Sequence, residues 1–355
     1  MLKEGRKKVS PFAIVGDYDR GHRYIKSHPI LKLLPLKWAE RMIPKTKVRL
    51  TDIIYDNEYE KKLGYIIDVP GFFIDEDKLK DKDRAKLIED IIRLLQINNI
   101  QVLVFPLWRK YLTLEEKFYL EENSIILLDG SLLRLVSLIA TVEKLFGILK
   151  AKQSEMEVGI WGADSNIGQL WVEFLAPFLN YLTIGGNDIK SLERLSNKTL
   201  YDTGLSCQVT LDPNQCLINK DIIILCSIPQ EGNFFDKNRI VIFSSSLSHE
   251  YFVIEQKYQS GILIESGWIL LNWDLKLPKE TKAWNKIGAL EANLFTVDNL
   301  YRDILLNYPM SLNTIQKVKE ILKKYGVIYK GMISNNEIMT YDGFRRYYFR
   351  NYLDK

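Results

Sequence analysis

The stretch Val158–Leu175, VGIWGADSNIGQLWVEFL, contains the pattern on which the interpretation of this sequence depends. An apolar, strand-like run ends at Gly162, a second glycine follows at Gly168, and an apolar, helix-like run comes next. A dinucleotide-binding βαβ unit needs this context, because one glycine permits the tight turn and a later one lets the helix pack closely on the strand. The same two glycines would also turn a strand into a helix in an α/β domain that binds no nucleotide.

The turn itself supplies the candidate cofactor-binding residues. A diphosphate would rest on the backbone N–H groups at the start of the helix. Ser165 stands where such turns carry the middle glycine that lets the backbone approach a pyrophosphate. Asp164 would repel bound phosphates unless its carboxylate points away. We predict cofactor contacts at Gly162, Ala163, Ser165, Asn166, Ile167 and Gly168.

The strand after this helix should carry a group for the ribose of the cofactor. In dinucleotide-binding units this group is an acidic residue for NAD, or an arginine nearby for the 2′-phosphate of NADP. Here the strand ends in YLTIGGND, so Gly186 and Asn187 occupy that place and Asp188 comes later. We predict a ribose contact at Asn187. The residues favour neither NAD nor NADP.

Outward from this turn, the 355 residues divide into two α/β halves. The first half alternates strand-like and helix-like runs from Phe12 to Leu128, which is typical of a parallel sheet. We predict a two-domain α/β protein with an amino-acid-dehydrogenase-like architecture. Its expected parts are an N-terminal α/β substrate domain with a linking helix over residues 1–150, a Rossmann-like dinucleotide-binding domain over 151–282, and a returning helix with a basic helical tail over 283–355.

The composition excludes several classes of protein. With 46% hydrophobic and 26% charged residues, the chain is neither disordered nor of low complexity. Its three cysteines and three histidines lack metal-ligand spacing and suggest no disulfide framework, so we predict no metal site and a cytoplasmic location. No apolar run reaches the roughly 18 residues that span a bilayer. A net charge of +4 gives little support to nucleic-acid binding.

The order of several segments resembles one known family. KSHPILKLLPLKWAERMIP, KLGYIIDVPG and LLDGSLLRLVSLIATVEKL precede the GADSNIG turn. This layout is similar to the predicted amino-acid dehydrogenase family that includes the long-chain acyl-ACP reductases of cyanobacteria, and the similarity runs from residue 11 to residue 307. The resemblance implies a Rossmann domain beside a substrate domain and hydride transfer from NAD or NADP. In the acyl-ACP reductases a cysteine first takes the acyl chain as a thioester.

The chain departs from this family at four functional positions. The family's turn reads G-A-T-G-x-I-G, which Asp164 and Ser165 break. Gly186 stands in place of an arginine, and Asp129–Leu132 keeps only the glycine of the family's T-G-N-S. The acylated cysteine corresponds to a position near Gly288, which carries no thiol. The thioester step therefore lacks its nucleophile there.

Strand-end residues supply the candidate catalytic groups. Lys110 and Asp129 would form a lysine–carboxylate pair that moves a proton during hydride transfer, although both also suit solvated loop ends. Cys226 closes the strand IIILC at the edge where such sheets bind ligands, and Ser227 beside it is a candidate cofactor contact. A small, buried, hydrophobic cysteine is the alternative interpretation of Cys226.

Together these observations predict an NAD- or NADP-dependent oxidoreductase. Its substrate would be a small carbonyl or acyl compound, free or linked to an acyl carrier, bound in the cleft between the domains and reduced without a cysteine thioester. The alternative is a non-catalytic Rossmann-fold relative that binds a ligand or a partner. We also expect a homo-oligomer.

The segment from Ser311 onward has nine basic and four acidic residues, and YDGFRRYYFRNYL places arginines among aromatics. This tail suits an acidic protein partner better than a nucleic acid, or it packs its aromatics on its own domain.

Overall fold

The fold was analysed in a computed structural model of the full chain. It describes residues 11–16, 29–35, 38–39, 42, 48–56, 61–69, 81–149, 155–230, 240–245, 262–270, 275–277, 283–334, 337–348 and 350. The chain forms two compact units. Unit 1 is drawn from residues 1–131 and 273–305, and unit 2 from residues 132–272 and 306–355. The expected domain boundaries at residues 150 and 282 stay a prediction.

The described strands and helices follow the α/β alternation that the sequence predicts. The strands are β1 (Phe12–Val15), β2 (Arg49–Asp56), β3 (Lys62–Asp68), β4 (Val102–Val104), β5 (Ile126–Leu128), β6 (Glu157–Trp161), β7 (Tyr181–Gly185), β8 (Gln208–Thr210), β9 (Ile222–Leu225), β10 (Ile240–Phe243), β11 (Ile262–Leu270), β12 (Leu275–Lys276), β13 (Ile328–Ser334) and β14 (Glu337–Thr340). The helices are α1 (Asp81–Ile97), α2 (Trp108–Tyr111), α3 (Leu114–Glu122), α4 (Ser131–Leu149), α5 (Asn166–Leu175), α6 (Ile189–Thr203), α7 (Pro213–Leu217), α8 (Ala283–Val297), α9 (Asn299–Asn307), α10 (Leu312–Lys324) and α11 (Tyr341–Tyr348).

Unit 1 contains a mixed sheet with the order β12-β2-β3-β1-β4-β5. β1 pairs in parallel with β3 and β4, and β4 pairs in parallel with β5. β2 and β12 extend one edge by antiparallel pairing. β1 and β4 are buried along their whole length, and α8 packs against both. An apolar strand without alternation is what a sheet covered by helices requires.

Unit 2 contains the larger sheet, with the order β14-β13-β11-β10-β9-β6-β7-β8. Its six consecutive parallel neighbours, from β8 to β11, follow the 3-2-1-4-5-6 order of the Rossmann fold when counted from β6. The chain leaves β6 toward β7 on one side and returns to β9 on the other. The carboxyl ends of β6 and β9 therefore form the switch point at which sheets of this kind bind ligands.

The fold class is confirmed as mixed α/β, with two sheets rich in parallel pairs. The expected helical tail has its helices in α10 and α11, but it also contains the hairpin β13–β14. β13 pairs with β11 and β14 pairs with β13, both antiparallel. Among the described residues, no helix combines the length and the apolar character that crossing a membrane requires.

An ion pair joins α1 to α3 in unit 1. Arg84 donates to both carboxylate oxygens of Glu116, at 2.5 and 2.8 Å, and Thr113 forms a capping box with the same glutamate. Burial by itself raises the pKa of Glu116, but the hydrogen bonds from Arg84 and from the Thr113 backbone outweigh it and leave this pKa below its usual value. The charged form is therefore the one that stabilises the folded unit.

Glu116→Gln should lower the free energy of unfolding by about 1–2 kcal/mol at pH 7. Because the folded-state pKa is lowered, the contribution of Glu116 is complete above the unfolded pKa and is lost as the pH falls through the folded pKa. Urea unfolding at pH 7 and pH 3 should show the difference between the variant and the parent shrinking at the lower pH. Glu115→Gln, at the exposed neighbouring position, is the control and should match the parent. A difference that grows at pH 3 would contradict the assignment.

Candidate functional site

The turn after β6 needs glycine at its first position for two reasons. Gly162 has a φ of +79°, in the left-handed region that side chains rarely adopt. A Cβ on Gly162 would lie 2.6 Å from Ser227 Oγ and 2.9 Å from its backbone nitrogen. The N–H groups of Gly162 and Ala163 both donate to the carbonyl oxygen of Gly185, at 2.8 and 2.9 Å. The turn is thus held against the ends of β7 and β9.

The second glycine brings α5 directly onto this turn. A Cβ on Gly168 would lie 2.2 Å from the Gly162 carbonyl oxygen and 2.5 Å from the Ala163 Cα. The helix is also anchored to the end of β10, because the buried indole of Trp171 donates to Ser244 Oγ at 2.6 Å. The start of α5 therefore has a defined position at the switch point.

Ser165 is the N-cap of α5. Its backbone is extended, with φ −83° and ψ 159°, so this position does not need a glycine. Its hydroxyl accepts from the Gly168 N–H at 3.1 Å and donates to the Gly162 carbonyl oxygen at 2.7 Å. The cap leaves the N–H groups of Asn166 and Ile167 without an acceptor among the described residues. Two such groups at a helix N-terminus attract an anion.

Asp164 points toward the end of β7. Its Oδ2 accepts from the backbone N–H of Asn187 at 2.8 Å and from that of Asp188 at 3.0 Å. The carboxylate thus turns toward the loop after β7. This direction is compatible with a diphosphate bound at the start of α5. Asn187, the predicted ribose contact, is exposed beside it.

Asp188 is engaged as the N-cap of α6. Its side chain accepts from Lys190 N–H at 3.0 Å and from Ser191 Oγ at 2.6 Å. The hydrogen bond from Ser191, with smaller contributions from the backbone N–H groups, leaves the pKa of Asp188 below its usual value. This carboxylate therefore stabilises the helix start.

Cys226 lies immediately after β9, where the sequence places it, and its side chain is buried. Its N–H donates to the Trp161 carbonyl oxygen at 2.9 Å. Burial, followed by the nearby Asp164 carboxylate, raises the pKa of the Cys226 thiol far above its usual value. Burial likewise raises the pKa of Cys207 to about 11 and that of Cys216 to about 12. At neutral pH all three cysteines are thiols, which are poor nucleophiles.

In unit 1, Asp129 accepts from the Ser131 N–H at 3.0 Å, at the start of α4. Lys110 lies within α2, and its side chain falls outside the described residues. The proposed lysine–carboxylate pair therefore stays a prediction.

A buried glutamate that the sequence did not single out lies near Asp129. Glu291 accepts from the Gly130 N–H at 2.9 Å and from the Tyr301 hydroxyl at 3.2 Å. Burial first, and then the Glu291 carboxylate, raise the pKa of Tyr301 well above its usual value. The sequence signal for a buried carboxylate at this position is a single acidic residue within the apolar run GALEANLF.

Gly288, near which the family's acylated cysteine was expected, is closely packed in unit 1. A Cβ at this position would lie 2.5 Å from Val104 Cγ1. Gly130, with a φ of +78°, lies against it, because a Cβ there would be 3.1 Å from the Gly288 Cα. A cysteine at Gly288 would require its neighbours to move, so packing as well as residue type argues against a thioester nucleophile there.

Comparison with known proteins adds little to this geometry. No protein-family model matches the sequence, and no curated protein matches it. The resemblance to the acyl-ACP reductase family therefore stays a prediction.

Solved structures with a partial likeness include L-tryptophan dehydrogenase from Nostoc punctiforme, at 11% identity over 95% of this chain and 85% of that chain, with a TM-score of 0.38. They also include 5-ketofructose reductase of Gluconobacter sp. strain CHM43, at 9% identity over 89% of this chain and 100% of that chain, with a TM-score of 0.28. Anabolic ornithine carbamoyltransferase from Campylobacter jejuni has 13% identity over 84% of this chain and 92% of that chain, with a TM-score of 0.29. Likeness at this level carries no argument about activity.

Gly168→Ala should destabilise unit 2 by about 3 kcal/mol or prevent folding, because the added methyl group meets backbone atoms. Gly147→Ala, in the exposed part of α4 where nothing lies within 4 Å of the added carbon, is the matched control. It should stabilise the protein by about 0.5–1 kcal/mol, the helix preference of alanine over glycine. Thermal and urea unfolding of both variants measures the contrast. Equal stability of the two variants would show that α5 does not begin against the turn.

The native protein should react with a thiol reagent such as an aromatic disulfide at less than a hundredth of the rate of the urea-unfolded protein at pH 8. The physical reason is that all three cysteines are buried and have raised pKa values. Absorbance of the released thiolate gives both rates. Rapid reaction of one native thiol, assigned by mass spectrometry, would restore that cysteine as a candidate nucleophile.

Proposed function

We propose that unit 2 binds a nicotinamide dinucleotide and that the protein is an NAD- or NADP-dependent oxidoreductase acting on a small carbonyl or acyl compound. One observation carries the proposal. At the switch point of a sheet with the Rossmann strand order, the N–H groups of Asn166 and Ile167 meet no acceptor within the part of the chain that the structure describes. This is the arrangement in which helix N-termini hold diphosphates.

The residues of the turn fit a diphosphate in part. Gly162 and Gly168 let the turn and the start of α5 pack closely together, and Asn166 at the first helical position is exposed. The Gly168 N–H is not available to a diphosphate, because it already donates to Ser165 Oγ. Asn166 and Ile167 would then hold the diphosphate with two N–H groups, and Ser227, half-buried beside Gly162, has a hydroxyl to offer.

The nicotinamide, when bound, supplies or accepts the hydride, and the chain must supply the proton that accompanies it. Asp129 and Lys110 are our candidates for holding and moving that proton. Cys226 is a poorer candidate, because burial holds its thiol protonated. The close packing at Gly288 supports chemistry that proceeds without an enzyme thioester.

A second candidate function is that of a non-catalytic relative that keeps the fold to bind a ligand or a partner. The Ser165 cap favours it, since the hydroxyl occupies a helix N–H that a dinucleotide could use. Ser165→Gly distinguishes the two. If this variant binds a nicotinamide dinucleotide while the parent does not, the non-catalytic function is favoured.

The basic C-terminal tail is the candidate surface for a protein partner. Phe344 in α11 is fully buried and stacks on Tyr348, with ring centroids 5.8 Å apart, whereas Arg345 and Arg346 on the same helix are exposed. We propose that the exposed arginines meet an acidic protein such as an acyl carrier, while the buried ring of Phe344 holds the helix to its own unit.

Asn166→Pro tests the dinucleotide site. Proline is favoured at the first helical position, and the extended backbone of Ser165 is the conformation that the residue before a proline prefers. The variant should keep its melting temperature but bind NADH and NADPH at least tenfold more weakly, because one N–H is lost. Asn166→Ala keeps that N–H and should bind as the parent does. Calorimetry and cofactor fluorescence measure these affinities.

Two outcomes of this experiment would overturn the proposal. In the first, the parent binds neither cofactor at millimolar concentration. In the second, a folded Asn166→Pro variant binds as tightly as the parent.

A further inference from the structure

The carboxylate of Asp164, in the turn after β6, lies at the end of the neighbouring strand β7. β7 ends at Gly185, and Asp164 Oδ2 accepts from the N–H groups of Asn187 and Asp188 in the loop that follows. Asp164 precedes these residues by 23 and 24 positions in the chain. The turn after β6 thus delivers a negative charge to the end of β7, where the sequence itself carries glycine and asparagine.

Gly186 makes room for this carboxylate. A Cβ on Gly186 would lie 2.4 Å from Asp164 Oδ1 and 2.6 Å from its Cγ. Any side chain at this position would displace the Asp164 carboxylate from the loop. The position of the Asp164 carboxylate therefore depends on the absence of a side chain at Gly186.

In a Rossmann fold, the group at the end of the second strand meets the adenosine ribose of the cofactor. A carboxylate there binds the 2′-hydroxyl of NAD, and an arginine accommodates the 2′-phosphate of NADP. The other carboxylate of this loop, Asp188, is engaged by Lys190 N–H and Ser191 Oγ. Asp164 Oδ1 has no hydrogen-bond donor among the described residues, and the side chain is only partly buried. Its lone pairs remain open to a ligand hydroxyl.

We propose that Asp164 selects NAD(H) over NADP(H) by accepting a hydrogen bond from the ribose and repelling a 2′-phosphate. The inference rests on the proposed function, because it assigns the cofactor class of the same site. A phosphate monoester brings close to two negative charges at neutral pH. Beside a fixed carboxylate at the end of β7, that charge is repelled. Gly186 has no side chain, so this position offers no cation to a 2′-phosphate.

The experiment measures the affinities of NADH and NADPH for the full chain by calorimetry and fluorescence. The parent should bind NADH at least tenfold more tightly than NADPH. Asp164→Asn, which keeps the size of the side chain but removes its charge, should reduce this ratio at least fivefold. Asp188→Asn is the matched control, because asparagine caps a helix as well as aspartate does. The control should keep the parent's ratio.

Two further measurements keep the inference testable if Asp164→Asn folds poorly. Asp164→Ser removes the charge with a smaller side chain, and a thermal melt establishes whether each variant is folded. On the parent, 5′-AMP and 2′,5′-ADP as competitors of NADH isolate the adenosine end of the site. 5′-AMP should compete at least tenfold better than 2′,5′-ADP.

The outcomes separate this inference from the proposal on which it rests. If the parent binds neither NADH nor NADPH, both fail. If the parent binds both cofactors with equal affinity, or if the folded Asp164 variants keep the parent's ratio, the selection by Asp164 fails while dinucleotide binding stands. If Asp188→Asn changes the ratio as much as Asp164→Asn does, the selectivity belongs to the loop as a whole and the assignment to Asp164 is wrong.

Discussion

The close approach of α5 to the turn after β6 is the constraint on which the candidate site depends. With a hydrogen at Gly168 in place of a side chain, the first turn of the helix lies against the backbone of Gly162 and Ala163. This contact aims the helix N-terminus at the switch point of the sheet, and the bond from Trp171 to Ser244 ties the same helix to β10. Without the contact, the N–H groups of Asn166 and Ile167 would have no defined direction.

The same turn explains why Asp164 and Ser165, which differ from the turn of a dinucleotide-binding unit, do not disrupt the local fold. Ser165 replaces a glycine but caps the helix, and Asp164 ties the turn to the loop after β7. Both substitutions satisfy backbone N–H groups that would otherwise have to find water or a ligand. Hydrogen bonds therefore hold Ser165 within the turn and join Asp164 to the loop after β7.

Regular elements with strong periodicity were predictable, and elements that depend on pairing were not. The sequence pattern places a helix after Gly168, but α5 begins three residues earlier, at Asn166, because Ser165 caps it. β2 has no clear sequence signal, since its charged and partly exposed residues form no continuous apolar run. The returning helix expected after residue 283 is divided into α8 and α9 at Asp298, whose side chain accepts from the Tyr301 N–H.

By itself, the sequence determined the α/β class, the glycine turn and the absence of a thiol near Gly288, because these follow from local periodicity and residue type. Only the tertiary structure decided that Cys226 is a buried thiol and that Asp164 stands at the end of β7. The physical reason is that burial and long-range hydrogen bonds join positions far apart in the chain. The carboxylate of residue 164 accepts from backbone N–H groups 23 and 24 positions later in the chain, and no local pattern records that contact.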